Sequence, residues 1–195
     1  MYTIKNAVFT EQIINKSRFI TYLDFVSNED EAKAKLEEIR TKQSDATHNC
    51  YSYIIGKTGN IAKFSDDKEP NGTAGVVIFD VLKKNNLTNI LAIVTRYFGG
   101  IKLGAGGLIR AYSSSVSMAL EGVERQEIIE YSIFSIICDY NLLGVVEKQI
   151  EGYEILSKEF NQKVNISIKV PTTKVPILQT KIIDVSKNQV LIKIQ

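Results

Sequence analysis

The residues most suggestive of chemistry form one glycine-rich, basic segment in the middle of this 195-residue chain. It reads Arg96-Tyr-Phe-Gly-Gly-Ile-Lys-Leu-Gly-Ala-Gly-Gly-Leu-Ile-Arg110 and contains five of the chain's twelve glycines. Glycine permits backbone conformations with positive φ and lets another molecule approach the main-chain amides closely. The segment is therefore typical of a shaped loop that receives an anion.

Charge around this segment supports the same interpretation. Between Lys83 and Leu120 the sequence has five basic residues and no Asp or Glu, whereas the net charge of the whole chain is only +2. An anion site must therefore be a local patch on a nearly neutral protein. The residues predicted to contact phosphate are Arg96, Gly99, Gly100, Lys102, Gly104, Gly106, Gly107 and Arg110.

The flanking elements are expected to position this segment. The apolar run from Asn89 to Thr95 predicts a strand, and apolar residues at three- and four-residue intervals after Gly106 predict a helix. A strand-loop-helix unit places unsatisfied N–H groups and partial positive charge at the start of the helix, where they favour phosphate or carboxylate. The spacing matches neither the P-loop nor the dinucleotide-binding fingerprint. The alternative is that the glycines only allow a tight crossover.

A second polar segment, Ser65 to Gly75, carries Asp66, Asp67 and Glu69 within four positions. Three interpretations stay open. The residues are typical of a turn, they could form an acidic wall paired with the basic loop, or they could hold magnesium. Among these, we expect no metal site.

Catalytic groups are not convincing. His48 and Cys50 lie two positions apart in a predicted strand, so their Cβ atoms would be about 7 Å apart, which is long for activation of a thiol. We expect no catalytic residue and no cofactor. The aromatic residues Tyr51, Tyr53, Tyr97 and Phe98 would either stack on nucleic-acid bases or pack in the core.

The remaining pattern predicts two α+β domains, 1–127 and 131–195, joined by a charged connector over 121–127. In the first, a strand is predicted over 18–26, a helix capped by Asn28 and ending near Lys42, a hairpin over 49–64, and a helix over 76–84. The second is predicted to run β-α-β-β-α-β, which is the order of a ferredoxin-like domain.

Composition excludes other classes. The apolar runs are far shorter than the roughly 20 residues that cross a bilayer, and the N-terminal residues lack the features of a secretory signal. We therefore expect a cytoplasmic protein without a membrane partner. The two cysteines, Cys50 and Cys138, have neither CxxC nor metal-ligand spacing, which favours free, buried thiols.

Three motifs in this sequence resemble the IMPACT/YigZ family, and the similarity starts at Lys16-Ser-Arg-Phe19. They are Ala46-Thr-His-Asn-Cys50, the acidic segment from Ser65 to Gly75, and the segment from Arg96 to Tyr112. The shorter C-terminal domain fits the bacterial two-domain branch. Lys68 stands where the family usually has glycine, and Val77 replaces a usual proline.

The resemblance implies a fold and a role. The N-terminal domain would be a two-layer α/β domain similar to one in a small-subunit ribosomal protein and to domain IV of elongation factor G. The C-terminal domain would resemble domain V of that factor. Both relatives work on ribosomal RNA, and eukaryotic family members regulate translation by competing for a scaffold of an initiation-factor kinase.

The leading hypothesis is therefore a non-catalytic RNA- or ribosome-binding protein linked to regulation of translation. It would contact phosphates through the glycine-rich loop, and a translation-related protein partner is also possible. A magnesium-dependent enzyme or binder of a small phosphorylated ligand or nucleotide is the alternative, and a pure protein-protein module is the third.

Overall fold

A computed structural model describes residues 1–195, which divide into two compact units, Met1–Ile128 and Ile129–Gln195. The elements of the first unit are β1 (Tyr2–Ile4), β2 (Val8–Ile14), β3 (Ser17–Phe25), α1 (Glu29–Lys42), β4 (His48–Ile55), β5 (Ile61–Ser65), α2 (Gly75–Lys84), β6 (Ile90–Tyr97), α3 (Gly104–Glu121) and β7 (Arg125–Glu127). The elements of the second are β8 (Tyr131–Cys138), α4 (Leu143–Gln149), β9 (Glu154–Phe160), β10 (Val164–Pro171), α5 (Val175–Ser186) and β11 (Leu191–Ile194).

A five-stranded antiparallel sheet organises the first unit, in the order β2-β3-β6-β4-β5. Side chains alternate between its faces. One face, which includes Phe19, Leu23 and Val94, packs against α2 and α3 around the buried ring of Tyr112. This packing fixes the start of α3 relative to the end of β6.

The opposite face of the sheet carries α1. Ala32 and Leu36 of this helix pack with Tyr51 and Tyr53 of β4 in a second hydrophobic cluster. The prediction of two layers is therefore incomplete, because the sheet has apolar residues on both faces and α1 covers part of the second. Its predicted cap is confirmed, since Asn28 Oδ1 accepts a hydrogen bond from the Glu31 amide at 2.9 Å.

The ends of this unit differ from the prediction. Sequence reasoning placed no strand before residue 18, but β1 and β2 lie there, and β1 pairs with β7 in a separate two-stranded sheet. The expected connector over 121–127 is thus the end of α3, a turn and a strand. Local sequence patterns do not predict this pairing, because Tyr2 and Glu127 are far apart in sequence and meet only in the folded chain.

The second unit has the predicted β-α-β-β-α-β order. Its antiparallel sheet runs β11-β8-β10-β9, the arrangement of two interleaved split βαβ units. One face of the sheet packs on α4 and α5 through residues such as Phe134, Ile166 and Leu178. None of the helices in either unit combines the length and apolar character needed to cross a membrane.

Candidate phosphate-binding site at the start of helix α3

The glycine-rich segment forms a loop after β6 and the first turn of α3. The helix begins at Gly104, two residues earlier than predicted, so Gly99 and Gly100 lie in the loop whereas Gly104, Gly106 and Gly107 lie in the helix. The first turn contains no acidic residue, and no side chain caps it. Its exposed amides therefore lack the internal acceptor that most helix starts have.

Gly99 fixes the position of the loop. A Cβ atom there would lie 2.0 Å from the carbonyl carbon of Lys16, so any other residue would collide with the turn between β2 and β3. The Gly99 amide also donates to Ser17 Oγ at 3.2 Å. Because of this contact the β2–β3 turn, with the exposed side chain of Lys16, lies beside the loop.

Two of the predicted basic residues are exposed next to the first turn of α3. Lys102 is in the loop just before it, and Arg110 is one and a half turns into the helix. Arg110 Nη1 lies 3.9 Å from the place where a Cβ of Gly106 would be, so its guanidinium folds back toward the amides. The site thus has free cations close to uncapped N–H groups, as an anion site requires.

Arg96, by contrast, is buried and paired. Only 4% of it is exposed, its Nη1 donates to Glu69 Oε1 at 2.6 Å, and its Nη2 donates to Ser17 Oγ at 3.3 Å. Its Nε has no hydrogen-bond partner in the protein. The structure gives Arg96 a positioning role in the loop, and direct contact with phosphate stays a prediction for this residue.

Glu69 is the centre of a buried polar network. Besides Arg96, the hydroxyl of Tyr112 donates to Glu69 Oε1 at 2.9 Å, and His48 Nε2 is 3.7 Å from Oε2. Burial raises the pKa of the Tyr112 phenol, so this group remains a donor. Hydrogen bonds therefore join the acidic segment to β4, β6 and α3. For Glu69, the ion pair with Arg96 is the kind of contact that the interpretation as an acidic wall predicts.

Cys50 belongs to the same network. Its Sγ donates to the Asp66 carbonyl at 2.9 Å and lies 3.3 Å from the Tyr112 hydroxyl. Burial raises the pKa of the Cys50 thiol well above its usual value, which favours the unreactive protonated form. His48 Nδ1 meanwhile contacts the Asp67 carbonyl at 2.9 Å. The geometry does not favour a Cys/His nucleophile.

The two aspartates of the acidic segment also bond to the protein itself. Asp66 accepts from the amides of Gly72, Ala74 and Gly75 at 2.7–3.0 Å and so caps the start of α2 from the preceding loop. Asp67 Oδ2 accepts from the Asn49 amide at 2.6 Å. No group of three or more His, Cys, Asp or Glu side chains is arranged to hold a metal ion. These contacts favour the structural interpretations over the magnesium one.

Lys68 lies in a sharp turn of the acidic segment. Its φ is +70°, in the left-handed region that side chains with a Cβ adopt at a cost. The preceding residue, Asp67, has a φ of +41°. A glycine at position 68 would adopt the same backbone conformation without this cost.

A cleft of about 370 Å³ separates the acidic segment from the start of α3. Its lining combines charged, apolar and main-chain groups. The lining residues are Glu69, Pro70, Arg96, Phe98, Lys102, Leu103, Gly104, Ala105 and Leu108. We call this space the α3 cleft.

The four aromatic candidates occupy different environments. Tyr51 and Tyr53 are buried under α1, with 9% and 2% exposure, and belong to the core. Tyr97 donates its hydroxyl to Gln43 Oε1 at 2.6 Å, and its ring lies against Arg18. Phe98 is 46% exposed and lines the α3 cleft.

One contributor to this site, Lys16, is not among the predicted site residues, because the sequence does not predict β2 and the β2–β3 turn therefore has no place in the expected fold. Glu69 is among the predicted residues of the acidic wall, and the structure pairs it with Arg96 across 27 positions. The signal for β2 is the β-branched and aromatic content of residues 8–14, which do not alternate regularly between apolar and polar types.

Comparisons with known proteins support the family resemblance. A family model for the Impact N-terminal domain matches residues 15–120, and a model for a domain of unknown function, DUF1949, matches residues 136–189. IMPACT family member YvyE of Bacillus subtilis (strain 168) is 45% identical over 171 residues, which cover 86% of this chain and 77% of the relative. IMPACT family member YigZ of Escherichia coli (strain K12) is 35% identical over 179 residues, which cover 89% of this chain and 87% of the relative.

A solved structure is similar over nearly the whole length. A crystal structure of a hypothetical protein superposes with a TM-score of 0.65 at 31% identity, covering 98% of this chain and 95% of the other. Matches of this extent and identity, together with the glycine-rich and acidic motifs, show that the chain belongs to the IMPACT family.

Proposed function

We propose that this protein binds RNA, free or in the ribosome, without catalysing a reaction, and that its role is linked to the regulation of translation. The observation that carries the proposal is the exposed, uncapped first turn of α3, which has no acidic residue and lies beside Lys102. Phosphate is the anion that repeats along RNA, and helix starts with free amides bind it well.

Surrounding charges support the same ligand. Lys16, Lys102 and Arg110 are exposed around the first turn, and the nearby acidic groups face inward to the protein. None of these three cations forms an ion pair within the protein, so each is available to contact a phosphate of a partner. Each phosphate contact would release counterions from RNA, so the affinity should fall steeply as salt is raised.

The link to translation rests on the family resemblance. Likeness of the two domains to domains IV and V of elongation factor G is a prediction of that resemblance, and that factor, like the small-subunit ribosomal protein, works on ribosomal RNA. A cytoplasmic location is part of the same proposal. A translation-related protein would be a second partner, in addition to RNA.

The test is a titration of single-stranded RNA, duplex RNA and purified ribosomal subunits at two salt concentrations. Lys102→Ala should weaken binding to all RNA ligands and lower the slope of log affinity against log salt by about 1. The matched control is Lys63→Ala, which removes an exposed lysine from β5, at one edge of the sheet. Equal affinity of the Lys102 variant and the wild type would reject this site.

A parallel titration with nucleotide, with and without magnesium, distinguishes a small phosphorylated ligand. If no RNA or ribosomal subunit binds at low salt while nucleotide binds saturably, the RNA proposal is wrong. A magnesium requirement for nucleotide binding would support the magnesium interpretation of the acidic segment, against the contacts described for Asp66 and Asp67.

A further inference from the structure

The α3 cleft joins two surfaces of different chemistry. Its lining includes Lys102 and the backbone of Gly104 and Ala105, which suit an anion. It also includes Pro70 and the ring of Phe98, which suit a flat apolar group. A ligand with a negative charge close to an unsaturated ring would match both parts of this lining.

Phe98 is held in place while one part of its ring remains open. Its amide donates to Thr47 Oγ1 at 3.0 Å, and the Arg96 guanidinium lies 5.5 Å from its ring centroid. Arg96 cannot readily move, since it is bound to Glu69 and lies at the same distance from the buried ring of Phe19. Phe98 is nevertheless 46% exposed, so the ring is a preorganised stacking surface.

Arg96 adds a second indication of a ligand. Its side chain is buried, lines the cleft, and has an Nε donor without a partner in the protein. Buried donors without a partner are rare in folded proteins, and those that occur are often satisfied by a bound ion or water. This donor lies on the same arginine that supports the Phe98 ring.

We infer that the α3 cleft takes one unpaired nucleotide of a single-stranded RNA, with its base on Phe98 and its phosphate at Lys102 and the first turn of α3. This inference rests on the proposed function and restricts it to unpaired RNA. A duplex hides the faces of its bases, whereas a single strand exposes them to aromatic side chains. The cleft volume of about 370 Å³ falls within the usual range for sites that hold one small ligand.

The site should accept any base. The charged side chains of Glu69 and Arg96 in the lining are bonded to each other, and Lys102 is assigned to phosphate. Stacking on a phenylalanine requires only the face of a base, which all four bases possess. Affinity should therefore depend on whether the bases are present and unpaired, with weak dependence on their identity.

The experiment uses the full chain with three fluorescent RNA probes of equal length, namely a mixed-sequence single strand, the matching duplex and an abasic single strand. The wild type should bind the first probe at least about tenfold more tightly than the other two. Phe98→Leu should lose roughly 5- to 100-fold in affinity for the single strand and nothing for the abasic probe. Phe98→Tyr, which keeps the aromatic face, should bind like the wild type.

Ile101→Ala is the matched control, because Ile101 is an exposed apolar residue of the same loop that does not line the cleft. Its affinity should equal that of the wild type, and circular dichroism should show that all variants are folded. Equal binding of the three probes, or an unchanged affinity in Phe98→Leu, would overturn the inference. If Lys102→Ala still weakened binding in that case, the proposed function would stand; if it did not, both would fail.

Discussion

The starts of α2 and α3 both lie near a glycine in close contact with another backbone, but only α2 has a side chain that accepts hydrogen bonds from its first amides. Each lies beside a glycine that touches another backbone, since a Cβ would be 2.5 Å from Ser65 at Gly75 and 2.0 Å from Lys16 at Gly99. At α2, Asp66 accepts hydrogen bonds from the amides of Ala74 and Gly75. At α3, no side chain takes this place.

This difference in capping supports the proposed binding site at the start of α3. At the start of α2, the carboxylate of Asp66 supplies the acceptor that the first amides of a helix need. The uncapped amides of α3 are solvent-exposed and have cations beside them, so an external anion can supply what Asp66 supplies at α2. Four changes would break or sharpen the comparison.

The largest effect is expected for the buried pair that holds the acidic segment beside α3. Arg96→Met should lower the free energy of unfolding by about 3–5 kcal/mol, because it leaves the Glu69 carboxylate buried without its partner. Urea denaturation measures this change. The control Arg110→Met removes an exposed arginine and should stay within about 0.5 kcal/mol of the wild type. Similar losses in both variants would contradict a structural role specific to Arg96.

The second largest effect on stability is expected at the two glycines that contact another backbone. Gly75→Ala and Gly99→Ala should each lower the free energy of unfolding by about 1–3 kcal/mol, since a Cβ would force two backbones apart. Gly106→Ala has room for its methyl group and should stabilise the helix by about 0.5–1 kcal/mol. Thermal unfolding of the three variants would decide, and a stable Gly99→Ala protein would show that the loop can move away from Lys16.

Removing the cap of α2 should affect stability and leave RNA binding unchanged. Asp66→Ala leaves the buried amides of Ala74 and Gly75 without an acceptor, at a cost of about 1–2 kcal/mol. Asp80→Ala, an exposed change within α2 itself, should change stability by no more than about 0.5 kcal/mol. A loss of RNA affinity in folded Asp66→Ala would assign the acidic segment a direct role in binding.

The smallest effect on stability should accompany the greatest effect on function. Ala105→Glu places a carboxylate in the first turn of α3, which should stabilise the protein by about 0.3–1 kcal/mol through the helix dipole. RNA affinity should nevertheless fall at least about tenfold, since repulsion of about 1.4 kcal/mol is sufficient for that change. Ala105→Gln, which has a side chain of similar size and no charge, is the control, and it should bind RNA more tightly than Ala105→Glu.

Local patterns predicted most of the regular elements and the glycine-rich loop that precedes α3. The cap of α1, the strand before the glycine loop and the β-α-β-β-α-β order of the second unit all depend on neighbours within a few residues, so sequence spacing reveals them. Interactions between distant positions were harder to foresee. Asp66 caps amides eight and nine residues later, and Arg96 selects Glu69 among three nearby acids only because the folded sheet brings them together.

The small sheet of β1 and β7 has a consequence for how the first unit assembles. Tyr2 pairs with Glu127, so the ladder between β1 and β7 can form only when almost the whole unit is present. Closing so long a loop is slow and entropically costly. β1 is also held by backbone hydrogen bonds of Tyr2 with Asn86 and Thr88 and by the buried side chain of Ile4. During synthesis the five-stranded sheet can form before the two-stranded sheet of β1 and β7. Amide hydrogens at its paired positions should accordingly exchange with solvent sooner than those in the centre of the large sheet.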